Sequence, residues 1–304
     1  VNTAIRHAAD GFSPARARRV ATEVWRAARG MDAAAVERAA ECAARHLRAA
    51  GIEALIERLP ADGRRAPGGW VLPLTWHVSE AVLEGTGAGR RRCYADLRRI
   101  PQNIAVHSPP TPDGDWVAGE VLDVRDLAGA ADGEALARLV RARGRGRFLL
   151  LPAAAATIEA NAAAARAGCL GMAAVHPGVP PGAARYLNYA VPFDASRPAV
   201  PVFSLTPAAA AALERDLARV PGFRLRARVR AVRRAGELPV LTGCIGTGSP
   251  AVYIAAHIDE PGALDNASGV GVAIEALRLL QELAGASGVP RQVRQVRFFF
   301  TLEV

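Results

Sequence analysis

The chain has 304 residues, 51% of them apolar, which is enough to bury the cores of two domains and too much for a disordered polypeptide. Its net charge is +9 with a pI near 10.5, yet all 38 basic residues are Arg, scattered over helical stretches (Arg16, Arg18, Arg19) and loops (Arg90, Arg91, Arg92) with no aromatic-interleaved patch and no zinc-finger or helix-turn-helix signature; no nucleic-acid partner is expected. No apolar run approaches the ~20 residues that span a bilayer, and the start V-N-T-A-I-R-H is neither a signal peptide nor an initiator Met, so the expectation is a cytoplasmic chain with no membrane partner and a trimmed N-terminus.

In chain order, Ser13-Pro14 opens a helix through Val20, Val24 and Trp25, with Ser13 as cap and Pro14 in the first turn. A second helix starts at Asp32 and places Val36, Ala40, Ala44 and Leu47 on one face. It ends at Gly51, and His46 in its last turn suits the helix dipole. Residues 52–59 and 71–83 read as extended, with His77 beside Trp76 in a packing role. Residues 101–115 are a Pro-rich linker. Strands are then expected at 117–124, 148–151, 170–175, 200–205 and 223–232. Helices are expected at 134–142, from Thr157 to Gly168, and over 207–217. His107 and His176 fall in Pro-rich loops and read as surface residues. Cys42, Cys93, Cys169 and Cys244 are widely spaced and read as small buried residues.

Residues 238–245, the turn Gly246-Thr247-Gly248 and residues 252–256 read as a hairpin feeding a buried strand that stops at His257 and Asp259. After a Pro-Gly turn, Asp265-Asn266-Ala267-Ser268-Gly269 opens an apolar helix, and a second strand, V-R-Q-V-R-F-F-F-T-L, ends at Glu303. A crossover helix between parallel strands brings their C-terminal ends to one sheet edge, where His257, Asp259, Asp265 and Glu303 would converge. An imidazole and a carboxylate are zinc ligands, a second carboxylate can fix the His tautomer, and a Glu can take a proton from water. Taken singly, each residue has a plain alternative. Asp265 could be a helix cap, Asp259 a turn former, His257 a core histidine and Glu303 a solvated strand end.

The pattern from Val252 to Glu303, an apolar strand, H-x-D, G-A-L-D-N-A-S-G, a helix and a strand ending in Glu, resembles the zinc aminopeptidases of clan MH, family 28. That resemblance implies that His257 binds zinc, Asp265 bridges two zincs, Asp259 orients His257 and Glu303 is the general base. It also implies a peptide substrate. Three departures are visible. The Asp259–Asp265 loop is short, Val304 stands where a ligating Glu is expected, and the chain stops before a further Asp and His; it reads as C-terminally truncated. With two countable ligands, weak zinc binding and little activity are expected. Residues 117–232 resemble in element order a protease-associated domain, which would wall the active-site edge.

The expected fold is therefore α/β: an incomplete zinc-exopeptidase-like domain with a mixed, largely parallel sheet (1–110 and 233–304) and a protease-associated-like α/β insert (111–232). Two other functions stay open. One is a non-catalytic peptide- or protein-binding module derived from the fold. The other is an amidohydrolase acting on a non-peptide amide. The pattern is silent on oligomeric state.

Overall fold

A computed structural model of the chain describes residues 10–64, 69, 71, 73–128, 133–193, 196–285 and 295–302; Glu303 and Val304 lie outside them. The chain divides into two compact units, Val1–Ala61 with Gly236–Val304, and Asp62–Ala235.

The first unit opens with α1 (Pro14–Ala28). The Ser13 side chain accepts a hydrogen bond from the Arg16 amide at 3.2 Å, and Pro14 occupies the first turn. Ala17, Val20, Val24 and Ala28 recur at helical spacing and are buried. In α2 (Ala33–Ala49) the Asp32 carboxylate caps the Ala35 amide at 3.0 Å, and Val36, Ala40, Ala44 and Leu47 form the buried face. Strand β1 (Ala54–Ala61) follows.

The second unit takes β2 (Thr75–Gly87), β3 (Arg90–Asp96), β4 (Val117–Asp123), the short α3 (Arg125–Ala128), α4 (Gly133–Arg143), β5 (Arg147–Pro152), α5 (Ile158–Arg166), β6 (Gly171–Val175), β7 (Val202–Leu205), α6 (Pro207–Arg219) and β8 (Arg224–Arg234). They form a seven-stranded sheet of order β3-β2-β8-β4-β5-β6-β7. Strands β4 to β7 run parallel and the remaining pairings are antiparallel. Residues 62–110 were expected with the site-bearing domain, but group here. The reason is long-range pairing: β2 is hydrogen-bonded to β8 from Thr75↔Arg234 to Thr86↔Arg224.

The chain returns to the first unit with β9 (Gly236–Gly246), β10 (Ala251–His257), α7 (Ala267–Gly285) and β11 (Gln295–Thr301), giving a mixed sheet of order β1-β9-β11-β10. β10 and β11 pair parallel, as the strand-helix-strand pattern implies, while β11 pairs antiparallel with β9. The expected β9–β10 hairpin does not form, because β11 inserts between the two strands. For the same reason β11 is paired on both sides. Among the described strands the two edges of this sheet are β1 and β10. Val252 and Tyr253 are accordingly exposed, where a buried strand was expected.

Leu241, Ile245, Phe298 and Phe300 pack with Val24, Leu47, Val270, Ile274 and Leu277 into one core between this sheet and the three helices. α7 lies close against α1. A Cβ at Gly271 would stand 2.4 Å from the Ala17 carbonyl oxygen, so only glycine lets the two backbones approach this way. The same contact carries a buried charge cluster. Glu275 is 3% exposed and receives hydrogen bonds from Arg278 (2.9 and 3.0 Å), Arg16 (3.1 and 3.2 Å) and the Ser13 amide (2.9 Å). Burial alone would raise this carboxyl's pKa. The bonds from Arg278, Arg16 and Ser13 outweigh it and hold the pKa down, to about 2.

Candidate metal centre

β10 delivers His257 at its last position, paired with Thr301 across the parallel ladder, and the Ile258 amide continues the ladder to the Thr301 carbonyl at 2.9 Å. The loop from Ile258 to Asn266 then reverses tightly. Gly262 bridges to Asn266, and the Ala267 and Ser268 amides donate to the Gly262 and Ala263 carbonyls at 3.3 and 3.0 Å. A Cβ at 262 would fall 2.1 Å from the Asp265 carbonyl oxygen, so the turn requires glycine there. The Ser268 hydroxyl donates to the Leu264 carbonyl at 2.7 Å, fixing the loop to the first turn of α7. Asp265 is thereby carried back over the strand end.

The two ring nitrogens of His257 face different carboxylates. Nε2 lies 3.2 Å from Asp265 Oδ1, and Nδ1 lies 3.6 Å from Asp259 Oδ1, within ion-pair reach but longer than a hydrogen bond. Asp259 is mostly buried, whereas Asp265 is 74% exposed, so the Nε2 side opens to solvent. Glu260 completes the group. It is buried, and one carboxylate oxygen lies with a ring nitrogen of His257 and an oxygen of Asp265 in a set of donors all within 4.8 Å of one another.

His257, Asp259 and Asp265, brought together on sequence grounds, are thus neighbours in space. Glu303 lies outside the described residues. Glu260 was given no role by the sequence pattern. Its signal was an acid next to H-x-D at the start of a loop forced to fold back by Pro261-Gly262.

Other residues fall elsewhere. His107, read as a surface residue, has its ring enclosed between Trp76 and Phe193, at centroid distances of 6.4 and 5.4 Å, and its Nδ1 is buried without a hydrogen-bond partner. Burial, reinforced by Arg233, lowers its pKa to about 3. His176 lines a cavity of about 720 Å³ at the ends of β5 and β6, together with Arg185, Tyr186 and Tyr189. Cys42 and Cys169 are buried as expected. Cys93 and Cys244 are exposed, and all four are free.

Residues 242–302 match the pattern of Peptidase family M28. Over this segment the chain is similar to peptidase family M28. The M28 segment takes in the end of β9, all of β10, the loop with its donors, α7 and β11, so the family pattern and the donor cluster coincide. No curated protein matches the chain. Among solved structures, a peptidase M28 precursor from Shewanella amazonensis superposes with a TM-score of 0.66 at 14% identity, over 98% of this chain and 66% of that one. The zinc aminopeptidase BSAP from Bacillus subtilis superposes with a TM-score of 0.54 at 17% identity, over 92% and 60%. A putative peptidase from Clostridium acetobutylicum gives 0.54 at 12% identity, over 95% and 52%. These likenesses define the fold as the α/β architecture of M28 peptidases. The chain spans about 60 to 66% of the length of the first two.

The donors suit zinc. A tetrahedral ion with bonds of ~2.1 Å holds its ligands ~3.4 Å apart, and the His257 to Asp265 separation of 3.2 Å is already near that value. One imidazole and two carboxylates are three hard-to-borderline donors, the number that catalytic zinc takes from protein.

Proposed function

We propose that the chain is a zinc-dependent metallopeptidase acting as an aminopeptidase, with His257, Glu260 and Asp265 holding one metal ion. The observation that carries this reading is the His257 ring at the end of β10, flanked by carboxylates on both nitrogens, with Glu260 within reach. A zinc ion bound there would supply Lewis acidity toward a scissile carbonyl and would make a water acidic enough to lose a proton near neutral pH. Asp259 keeps the proton of His257 on Nδ1 and leaves the Nε2 lone pair directed at the Asp265 side. Glu303, two residues along the sequence from Thr301, is proposed as the group that takes the water proton and passes it to the departing amine nitrogen. Peptide is the proposed substrate.

We read residues 111–232 as a protease-associated-like domain. Its parallel β4, β5, β6 and β7 with intervening helices support that reading.

The test is hydrolysis of aminoacyl nitroanilides and of their N-acetylated counterparts by the zinc-loaded chain. Chelator-sensitive release from the free amines alone is expected. Release that is unchanged in both His257→Ala and Asp265→Ala would overturn the assignment, and equal release from the acetylated series would redirect it to another class of amide.

A further inference from the structure

Outside the M28 segment, α1 and α2 bring together a second group of metal-ligating side chains. Cys42 and His46 are four residues apart on α2 and share one face of that helix. Glu23 approaches from α1, with its Oε2 2.9 Å from His46 Nε2. One donor atom from each of the three lies within 4.8 Å of the other two. Their surroundings are graded. Cys42 is 3% exposed and sits among Ala39, Ala43 and Leu47 in the core, the His46 ring is mostly covered, and Glu23 is 43% exposed. A sulfur is therefore anchored at the bottom, an imidazole stands above it, and a carboxylate lies at the rim where water can reach.

We propose that Glu23, Cys42 and His46 form a second divalent-cation site, for zinc or an ion of similar softness, that ties α1 to α2. Thiolate, imidazole and carboxylate are all zinc donors, and the mixed set with one sulfur disfavours magnesium and calcium, which take oxygen ligands. Three protein ligands leave the fourth position for a water on the Glu23 side. On binding, Cys42 gives up its thiol proton to solvent and the sulfur bonds to the metal, while the proton on the His46 nitrogen that faces Glu23 leaves it, to the other ring nitrogen or to solvent, so that a neutral imidazole donates that lone pair to the ion. Thiolate and carboxylate together balance the two positive charges, so no net charge is left beside the core. Burial raises the thiol above its ordinary pKa, with Glu23 adding to the rise and Arg45 opposing it, so without metal the sulfur stays protonated and inert. The tie acts on the helix pair that also carries Ser13, Arg16 and Ala17, the residues of α1 and its cap that meet α7.

Cobalt(II) tests the site, because a thiolate ligand gives an ultraviolet sulfur-to-cobalt charge-transfer band and the His257 group contains no sulfur. The measurement uses the full chain with the exposed Cys93 and Cys244 replaced by Ser. The expected result is a stoichiometric charge-transfer band that is lost in Cys42→Ser. The band should need more cobalt to develop in Glu23→Gln and His46→Gln and should be unaffected in His257→Ala. Zinc should raise the melting temperature of the parent and raise it less in Glu23→Gln, whose exposed carboxylate can be replaced without disturbing the core. Absence of the band, its survival in Cys42→Ser, or unchanged cobalt affinity in both Glu23→Gln and His46→Gln would overturn the proposal.

Discussion

The two units solve the same packing problem with α/β layers and dispose of charge in opposite ways. The unit built on the four-stranded sheet buries an ionised carboxylate, Glu275, and surrounds it with two guanidinium groups and an amide. The unit built on the seven-stranded sheet buries a neutral imidazole, His107, between aromatic rings. Among the described residues, both candidate metal clusters also belong to the four-stranded unit. Parallel strands end at an open rim in each unit, and in the second that rim holds a cavity lined by Arg185, Tyr186 and Tyr189. The lesson is that the architecture supplies the concavity, and only the side chains at the strand ends decide whether chemistry can occur there.

The largest expected effect tests the site half of this comparison. His257→Ala should remove chelator-sensitive hydrolysis to background, because it takes away the central donor and the group that both Asp259 and Asp265 face. Substituting His176 in the other unit should leave turnover of a short substrate unchanged. Steady-state rates on an aminoacyl nitroanilide check both.

Acid should separate the units next. His107 in the folded chain has a pKa near 3, below the ~6.5 of an unfolded imidazole, so between those values the unfolded chain binds the extra proton. The stability of its unit is therefore complete above pH ~6.5 and declines as pH falls toward ~3, by up to about 5 kcal/mol in all. Glu275, with a pKa near 2 against about 4.5 unfolded, gives stability that is complete above pH ~4.5 and is lost only as pH falls toward ~2. Near pH 5 the first loss is under way and the second has not begun. Hydrogen exchange followed by mass spectrometry should then show β2 and β8 exchanging faster than at pH 7.5 after correction for intrinsic rates, with α7 unchanged. His107→Phe should abolish the difference.

At neutral pH the ranking reverses in favour of the charge cluster. Glu275→Gln leaves Arg16 and Arg278 facing an uncharged amide and should cost about 3 kcal/mol, read as a lower denaturant midpoint. A loss below about 1 kcal/mol would mean that the arginines find water instead and that the burial of this group matters little.

The parts that sequence alone disclosed were those encoded locally. Ser13, Asp32 and Thr157 each cap a helix where the pattern places one, and the apolar runs around Ile254 and Phe298 are strands in the expected parallel relation. His257, Asp259 and Asp265 lie within nine residues, so their meeting needed only a tight loop. What stayed hidden depends on partners far along the chain. β11 enters between β9 and β10 from about 40 residues downstream, and nothing in the turn Gly246-Thr247-Gly248 announces it. Trp76 and Phe193 enclose His107 from 31 residues before it and 86 after, so a Pro-rich loop looked like surface. Residues 62–110 changed unit because β2 found β8. Glu260 was missed for a different reason. An acid beside a Pro-Gly turn has an ordinary explanation as a turn residue, and only its burial next to the His257 ring gives it another.

The smallest predicted effect is also the one that separates orientation from ligation within the site. Asp259 touches His257 on the nitrogen turned away from Asp265, so it acts on the chemistry only through that ring. Asp259→Asn preserves size but can present its amide nitrogen to Nδ1, which would favour the tautomer with the proton on Nε2, the nitrogen required as a donor. The expected cost is about 10- to 100-fold in metal affinity, the range for a group that positions a ligand, with turnover restored at saturating zinc. Asp259→Glu keeps the charge and should recover part of the affinity. If turnover at saturating metal stayed low in Asp259→Asn, the carboxylate would have to act on substrate or water directly, and the division of labour between the two faces of His257 would be lost.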